Sequence, residues 1–263
     1  MPELPEIIHF KHYVDSTCLK QTISDIEVRK EDVLSNCTTA ELSAKLKGEM
    51  FEKTSHYGKY LFIHSTGSHD LVMHFGMTGN PVYFKNEEQT PDFPRVLVHF
   101  ENGYKLAFNC MRMLGELDLI KDKKAFIKAK DLGPDVSDEK FDYEAFYALV
   151  QDRGGMIKSS LMDQQLMAGI GNECSDEILF QSRIHPKKKV KSLRENELKT
   201  IFDNVRKVIK KKVEALDHNR ELPDSFLLKD REEGAECPNC KGAIEKITVG
   251  GRSGFYCPSC QEA

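Results

Sequence analysis

Four cysteines near the C-terminus have the spacing of a metal site. Cys237 and Cys240 form one CxxC pair, Cys257 and Cys260 form a second, and sixteen residues separate the pairs. Two such pairs offer four thiolates to one tetrahedral Zn²⁺. Because the protein supplies every ligand, no position is left for a reacting water, and we expect one structural zinc. A redox-active CxxC would not explain two pairs that flank one spacer.

The spacer between the two pairs reads as a β-hairpin. Apolar residues alternate on either side of Gly250-Gly251, at Ala243/Ile244, Ile247, Val249, Phe255 and Tyr256. This pattern predicts a zinc ribbon, and metal binding supplies much of the stability of so small a module. Arg252 follows the glycine turn, where an arginine is well placed to bind a phosphate, although exposed arginines on turns are commonplace.

A second glycine-containing turn lies between two predicted helices, at Ala168-Gly169-Ile170-Gly171-Asn172. Its backbone N–H groups and the N-terminus of the next helix suit an anion. An ordinary helix–helix connection is the alternative, and the two glycines alone do not decide between these interpretations.

The charge of the chain is unevenly distributed. The 263 residues are 40% hydrophobic and 30% charged, with a net charge of −4, which as an average argues against nucleic acid. From Arg183 to Lys212, however, twelve Lys or Arg stand against three Asp or Glu. Such a basic face can bind phosphates. A solvated helix flank is the commoner explanation and is favoured when this run is taken alone.

Other classes of protein are disfavoured. No apolar run approaches the roughly 18 residues of a membrane span. The opening MPELPEI has no basic segment or apolar core, so it does not read as a secretory signal. The remaining cysteines have no disulfide-like spacing, and they are Cys18, Cys37, Cys110 and Cys174. We therefore expect reduced thiols, a cytoplasmic location (with the nucleoid in a bacterium) and no membrane partner.

The first 120 residues or so have the alternation and turn spacing of short strands. The clearest strands are at residues 59–63, 71–75, 96–100 and 105–108. Because Pro5 would break a helix, we place the one early helix at about residues 7–19. Residues 121–142 are charged, with Gly133-Pro134, and suit a linker.

Beyond the linker the hydrophobic period becomes helical. One helix begins around Phe141, Phe146 and Leu149. Leu161, Met162, Leu166 and Met167 mark a second, and residues 178–180 a third. The cleanest stripe is core packing, at Leu198, Ile201, Phe202, Val205, Val208 and Ile209.

Five segments occur in an order that resembles one known family. They are MPELPEI, HYGKYL at 56–61, HFGMTG at 74–79, LMDQQLMAGIGNECSDEILF at 161–180, and the final CxxC with GGRSGFYCPSC. The chain resembles the formamidopyrimidine-DNA glycosylase and endonuclease VIII family of base-excision repair enzymes over nearly its whole length. The resemblance implies an α+β fold: an N-terminal β-sandwich with a flanking helix, a helix-two-turns-helix domain and a C-terminal zinc ribbon. It also implies one zinc ion, damaged duplex DNA as partner and a monomer.

With this resemblance, we divide the chain into four parts. They are a catalytic β-sandwich domain at 1–122, a linker at 123–142, a helical DNA-binding domain at 143–228 and a four-cysteine zinc finger at 229–263.

By resemblance, the N-terminus supplies the catalytic groups. Removal of Met1 leaves Pro2 with a free secondary amine, which is the family's nucleophile. The reference pKa of an α-amino group is about 8, against about 10.4 for lysine, so a usable fraction is unprotonated near neutrality. Glu3 matches the general acid and base, and Glu6 is expected to order the N-terminus.

Further matching residues contact DNA. Lys59 matches the family's strand lysine, which contacts the phosphate beside the lesion and assists catalysis. The other phosphate contacts implied by resemblance are His74, Lys158, Asn172 and Arg252. Such contacts position a duplex without reading its sequence.

Base excision requires the damaged nucleotide to leave the stack, and other side chains must fill the gap. Met77 matches the family's void-filling residue, while Arg112 and Leu114 match the pair that faces the orphaned base and wedges the stack. A core methionine is the alternative for Met77, but a glycine-flanked turn is a poor place to bury one.

The sequence departs from the family pattern at several positions. Leu114 replaces a common phenylalanine, and Cys110 replaces an acid. Glu173 and Cys174 stand where an apolar residue and a tyrosine are usual, so a carboxylate is expected near DNA phosphate. Only about residues 217–225 are available for the Gly-rich loop that caps 8-oxoguanine in relatives.

The resemblance therefore predicts a bifunctional DNA glycosylase and abasic-site lyase that acts through a Pro2 iminium and β,δ-elimination. The short loop favours formamidopyrimidine or oxidised-pyrimidine lesions over 8-oxoguanine. One alternative is a catalytically inactive, zinc-dependent nucleic-acid-binding protein on the same scaffold, which the presence of Pro2 and Glu3 disfavours. Another is an enzyme devoted to abasic sites or unusual adducts.

Overall fold

The computed structural model describes residues 1–261. The chain forms two compact units. The first comprises Met1–Pro2 with Glu6–Asp131, and the second comprises Glu3–Pro5 with the chain from Leu132 onward. None of the helices among the described residues combines the length and apolarity needed to cross a bilayer.

The first unit contains two antiparallel four-stranded sheets. Its strands are β1 (Ile23–Val28), β2 (Phe51–Tyr57), β3 (Tyr60–Ser65), β4 (Asp70–His74), β5 (Asn80–Phe84), β6 (Pro94–Phe100), β7 (Lys105–Asn109) and β8 (Glu116–Ile120). One sheet has the order β1-β6-β7-β5, and the other has the order β2-β3-β4-β8. The four strands read most clearly from the sequence are confirmed as β3, β4, β6 and β7.

Both sheets contribute to one core. Val98 and Leu106 from the first sheet, and Leu61 and Leu71 from the second, are at most 2% exposed and belong to the same hydrophobic cluster. Alternate residues of a strand face the same side, so each sheet buries one face in this core. The predicted fold class, an α+β protein with an N-terminal sandwich, is confirmed.

The first helix, α1 (Leu4–Thr17), begins earlier than the sequence predicted. Pro5 lies in its first turn, where the missing N–H would have had no intrahelical partner. The expectation that Pro5 excludes a helix before about residue 7 was therefore wrong. Ile7 and Val14 of α1 are fully buried in the core of the first unit.

Two further helices belong to the first unit, α2 (Thr39–Leu46) and α3 (Lys123–Ala129). α3 lies within the segment predicted as a linker. Its Phe126 packs edge-on against Tyr60 and Phe62, at ring-centroid distances of 5.3 and 5.6 Å. With few apolar residues the segment shows no helical period, so the helix was not predicted.

The second unit is helical and ends in a hairpin. Its elements are α4 (Tyr143–Val150), α5 (Ile157–Met162), α6 (Asn172–Ser182), α7 (Glu195–Asp217), β9 (Glu245–Val249) and β10 (Arg252–Tyr256). The apolar stripe predicted for α7 is buried along the helix, which confirms its role in core packing.

The helix expected to include Leu166 and Met167 ends at Met162. The Gln164 side chain stabilises the following turn: its Nε2 donates to the carbonyls of Met162 and Ile170, each at 2.8 Å, and its Oε1 accepts from the Gly169 N–H at 3.0 Å. Leu166 and Met167 are buried in this turn rather than in a helix.

The ribbon forms as the alternation predicted. β9 and β10 pair antiparallel, with Val249 opposite Arg252. Gly250 and Gly251 close the turn with φ of +57° and +75°, a conformation that glycine adopts at little cost. Ile244 is 1% exposed and packs in a cluster with Phe180 of α6, so the ribbon is seated on the helical part of the second unit.

Candidate active site and metal centre

The Glu3 carboxylate is held by the N-terminus of α6. Oε2 accepts from the Gly171 and Cys174 N–H groups, each at 3.0 Å, and Oε1 accepts from the Glu173 N–H at 2.9 Å. The first N–H groups of a helix have no intrahelical acceptor and carry partial positive charge, so they stabilise a carboxylate. Glu3 is fully buried. The turn for which the sequence left open an anion site or an ordinary connection thus binds an anion of the protein itself.

Two glycines allow this close approach. A Cβ on Gly171 would lie 2.2 Å from Glu3 Cδ, and a Cβ on Gly169 would lie 2.8 Å from a Leu4 methyl group. The Leu4 N–H also donates to the Gly169 carbonyl at 3.1 Å. The backbone around Glu3 is therefore fixed against the turn, one residue beyond Pro2.

A buried ion cluster lies behind the same end of α6. The Lys158 ammonium pairs with Asp176 and donates to Ser175 Oγ at 3.1 Å and to the Asn172 carbonyl at 3.2 Å. Burial lowers the pKa of Lys158, and Asp176 opposes that effect. Because Lys158 is fully buried, its charge positions Asn172 in this structure, and its role as a DNA contact stays a prediction.

Asp176 also fastens the zinc hairpin. Its Oδ2 accepts from Arg231 Nη2 at 2.6 Å and from the Phe255 N–H at 3.1 Å. A Cβ on Gly254 would lie 2.8 Å from Asp176 Oδ1, so this strand passes directly over the carboxylate. Neither Asp176 nor Arg231 was predicted as a site residue. A paired acid and arginine 55 residues apart give no local pattern.

The hairpin is brought to Asn172 by this arrangement. Asn172 Nδ2 donates to the Ser253 carbonyl at 2.8 Å, and the neighbouring Arg252 side chain is exposed. The structure therefore groups Glu3, Lys158, Asn172 and Arg252 within the second unit.

Lys59 and His74 are placed by the second sheet of the first unit. Lys59 is 8% exposed and follows Gly58, which turns the chain from β2 into β3 at φ +53°. Tyr60 pairs with His74 across the sheet, and their rings are 4.9 Å apart. Burial lowers the pKa of His74, with Glu116 opposing, so its imidazole is neutral near pH 7 and offers one N–H donor.

Met77, Arg112 and Leu114 lie on two loops that contact each other. A Cβ on Gly76 would lie 2.3 Å from the Leu114 carbonyl oxygen, and the Arg112 N–H donates to Thr78 Oγ1 at 3.3 Å. Met77 is 40% exposed and Leu114 is 51% exposed. Met77 is therefore no core residue, and both apolar side chains face solvent.

Met111 joins this exposed apolar group, and the sequence did not single it out. It is 50% exposed and lies directly before Arg112. Its position in the motif that supplies Arg112 and Leu114 was the available signal.

The four predicted metal ligands converge. The sulfur atoms of Cys237, Cys240, Cys257 and Cys260 all lie within 4.8 Å of one another, with Sγ–Sγ distances of 3.8 Å for Cys237–Cys260 and 3.5 Å for Cys240–Cys257. Zn–S bonds of about 2.3 Å place tetrahedral thiolates about 3.8 Å apart. The cysteines fit one zinc ion, which their number makes structural.

The unusual Glu173 has a cationic partner. Its Oε2 lies 3.8 Å from the Lys212 ammonium, whose side chain is 7% exposed. The same ammonium lies 3.9 Å from Cys174 Sγ. The negative charge of the carboxylate that was expected near DNA phosphate is thus partly balanced by Lys212. The sequence did not single out this lysine.

Glu177 is a second buried carboxyl group of α6. It accepts from Gln181 Nε2 at 2.8 Å and from the Leu228 N–H at 2.9 Å. Burial raises its pKa from 4.5 to about 7. It therefore stays protonated in the folded protein over a pH range in which the unfolded chain ionises.

We expect Glu177 to weaken the fold as pH rises. Between pH 4.5 and about 7 the folded state binds more protons at Glu177 than the unfolded state, so the free energy of unfolding falls with pH. A pKa difference of this size corresponds to about 3 kcal/mol. Urea unfolding across this range should show a flatter pH dependence for Glu177→Gln than for wild type. Parallel curves for the two proteins would refute the assignment.

Comparison with known protein families finds three domain matches, which follow one another along the chain. The formamidopyrimidine-DNA glycosylase N-terminal domain matches residues 1–117, the formamidopyrimidine-DNA glycosylase H2TH domain matches residues 132–221, and the zinc finger found in FPG and IleRS matches residues 234–263.

Full-length relatives are also found. The formamidopyrimidine-DNA glycosylase of Streptococcus pneumoniae R6 is 31% identical over 99% of both chains. Two solved complexes of Lactococcus lactis Fpg, each 25% identical with full coverage of both chains, contain abasic-site DNA and N7-benzyl-Fapy-dG DNA and have TM-scores of 0.90 and 0.88. With three domain matches in order and this near-complete coverage, the chain belongs to the formamidopyrimidine-DNA glycosylase family.

Proposed function

We propose that the protein is a bifunctional glycosylase and lyase that removes oxidised bases from duplex DNA and then cleaves the abasic strand. The observation that carries this proposal is the set of backbone hydrogen bonds that holds the Glu3 carboxylate. An enzyme of this kind needs a fixed carboxyl group beside an N-terminal amine, and three backbone N–H groups hold Glu3 directly after Pro2. The abasic-site and N7-benzyl-Fapy-dG DNA in the solved complexes of relatives supports damaged DNA as the partner.

Pro2 supplies the nucleophile in this proposal. Once Met1 is removed, its secondary amine attacks C1′ of the damaged nucleotide, and the base departs with the electrons of the N-glycosidic bond. The amine then loses its proton, and opening of the C1′–O4′ bond gives a cationic iminium that has no N–H proton to lose. It withdraws electrons from C2′, so loss of a C2′ proton expels the 3′ phosphate, and a second elimination expels the 5′ phosphate.

Glu3 transfers protons in these steps. Its acid form protonates the ring oxygen as the sugar opens, and its base form accepts a proton afterwards. The N–H groups of α6 stabilise the ionised form, and the buried position excludes bulk water from the carboxylate. Glu6 keeps its proposed role in ordering the N-terminus.

The remaining site residues position the DNA. Lys59 contacts the phosphate beside the lesion, and His74, Lys158, Asn172 and Arg252 contribute to phosphate binding, Lys158 by placing Asn172. Met77 fills the space left by the everted nucleotide. Arg112 faces the orphaned base, and Leu114 wedges the stack, as its exposure permits.

The lesion preference follows from the short segment after α7. Residues 218–225 are mostly exposed, and Lys229 ties them down through Asp224 at 2.6 Å and Glu221 at 3.1 Å. Little chain is therefore available to cover a large everted purine. A buried polar edge left without a partner costs about 1–3 kcal/mol.

We predict faster single-turnover excision of formamidopyrimidine and oxidised-pyrimidine lesions than of 8-oxoguanine opposite cytosine, with abasic-site cleavage fastest. A panel of matched duplexes that carry each lesion, with undamaged DNA as control, tests the proposed function. If the protein cleaves none of the damaged duplexes, the proposed function is rejected. An 8-oxoguanine rate at or above the others would show that another segment covers the base.

A further inference from the structure

The connection between α6 and α7 carries the densest positive charge of the chain. We call residues 183–192 the basic loop. Arg183, Lys187, Lys188, Lys189 and Lys191 lie within it, and the whole stretch from 183 to 194 contains no Asp or Glu. In a chain of net charge −4, such a concentration needs an explanation that the chemistry proposed above does not give.

The cations of the basic loop differ in their partners. Lys188 is directed toward α7, where its ammonium donates to Glu197 Oε1 at 2.9 Å. Lys187, Lys189 and Lys191 are exposed and form no ion pair with any carboxylate in residues 1–261. On α7, by contrast, Lys199 and Lys211 are paired with Asp203 and Glu214. Three exposed lysines without an ion pair among the described residues therefore lie within five residues of the loop.

Backbone hydrogen bonds fix the basic loop to the start of α5. The Ile157 N–H donates to the Lys188 carbonyl at 2.9 Å, and the Val190 N–H donates to the Gly155 carbonyl at 3.0 Å. Met156 and Lys189 form an antiparallel bridge. Because Ile157 directly precedes Lys158, which bonds the Asn172 carbonyl, the exposed lysines have a defined position relative to the proposed phosphate-binding residues.

The other side of the loop is fastened to the zinc ribbon. The rings of His185 and Tyr256 are 4.8 Å apart, edge to face, and Gln261 Nε2 donates to the Ile184 carbonyl at 2.9 Å. Between these anchors lies a depression of about 410 Å³, lined by His185, Lys187, Lys188, Lys189 and Ser192. A concave surface lined by cations suits an anionic ligand.

We propose that the basic loop binds the sugar-phosphate backbone of the same DNA duplex, next to the phosphates contacted through Asn172 and Arg252. This inference rests on the proposed function, because it takes duplex DNA as the ligand. The occupant follows from charge complementarity and from the hydrogen-bonded connection to Lys158. A flat row of solvated lysines would need neither the anchors nor the depression.

A salt series tests the inference. Affinity for a long duplex with an abasic-site analogue is measured by fluorescence anisotropy for wild type and Lys187→Ala/Lys189→Ala. Affinity falls with salt, and each lost phosphate contact makes the negative slope of log affinity against log salt shallower by about 0.9. The slope of the double variant should therefore be shallower than that of wild type by about 1.8. The difference in slope between wild type and the double variant should be the same on undamaged DNA, since phosphate contacts carry no sequence information. It should shrink on a duplex trimmed closely around the lesion.

The matched control is Lys207→Ala/Lys210→Ala, which removes the same charge from exposed positions of α7. This control should leave the slope unchanged. Lys187→Arg/Lys189→Arg keeps both positive charges and should show the wild-type slope. Equal slopes for wild type and Lys187→Ala/Lys189→Ala would overturn the inference. Borohydride trapping of wild type on abasic DNA, measured in parallel, tests the proposed function separately, so the failure of either one is recognisable.

Discussion

Glu3→Gln should reduce single-turnover base excision by about two to four orders of magnitude, the usual contribution of a positioned general acid or base. The amide cannot transfer the proton. Its NH₂ group would also face the N–H groups of Gly171, Glu173 and Cys174, leaving at least one of these donors without an acceptor. The measurement is the rate of base release from a formamidopyrimidine duplex at saturating enzyme.

Glu6→Gln is the matched control, because it removes one carboxylate from the first turn of α1, three residues along the chain from Glu3. Its effect should be far smaller, as befits a residue that orders the terminus. Equal rates for wild type and Glu3→Gln, with both proteins folded, would show that the carboxylate at the α6 N-terminus is not the proton carrier.

Cys257→Ser should lose the zinc ion and, with it, nearly all DNA binding. Three remaining thiolates hold zinc poorly, and the ribbon has a small core, so metal loss unfolds it. The ribbon supplies Arg252 and the Ser253 carbonyl that binds Asn172. Mass spectrometry under native conditions measures the zinc content, and anisotropy measures the binding of abasic-analogue DNA.

Cys37→Ser provides the control, since Cys37 is a half-buried thiol of the first unit far along the chain from the ribbon. It should retain one zinc per chain and full affinity. Strand cleavage at the wild-type rate by a metal-free Cys257→Ser preparation would exclude the structural role of the zinc.

The ribbon was predictable because its determinants are local. Two CxxC pairs and a glycine turn specify the ligands, the hairpin and the position of Arg252 within one continuous segment. Long strands such as β6 were predictable for the same reason. The start of α1 was not, because Pro5 is unfavourable within a helix and harmless in its first turn. The end of α5 depends on the Gln164 side chain, whose three hydrogen bonds leave no periodic signal.

The sequence proposed the individual site residues, but it did not predict the contacts that hold their side chains in place. For the turn at Gly171 and Asn172 the sequence left open an anion-binding site or an ordinary connection, and the bound anion is Glu3, 168 residues earlier in the chain. Lys158 is buried against Asp176, a pairing that the sequence did not predict, and its role as a DNA contact stays a prediction. Long-range pairs of this kind follow from the packing of distant segments, which no local pattern reveals. The boundaries of the four proposed domains, the roles of the site residues, the lyase chemistry and the lesion preference stay predictions.

The central claim is that the Pro2 amine forms the covalent intermediate, and the most direct measurement is to locate the trapped bond. Wild-type protein lacking Met1 is reduced with borohydride on abasic-site DNA, and the crosslinked peptide is identified by mass spectrometry. We predict attachment at the Pro2 nitrogen, weaker trapping for Pro2→Gly and none for protein that keeps Met1. Attachment at an internal lysine such as Lys59, with trapping unaffected by retained Met1, would contradict it.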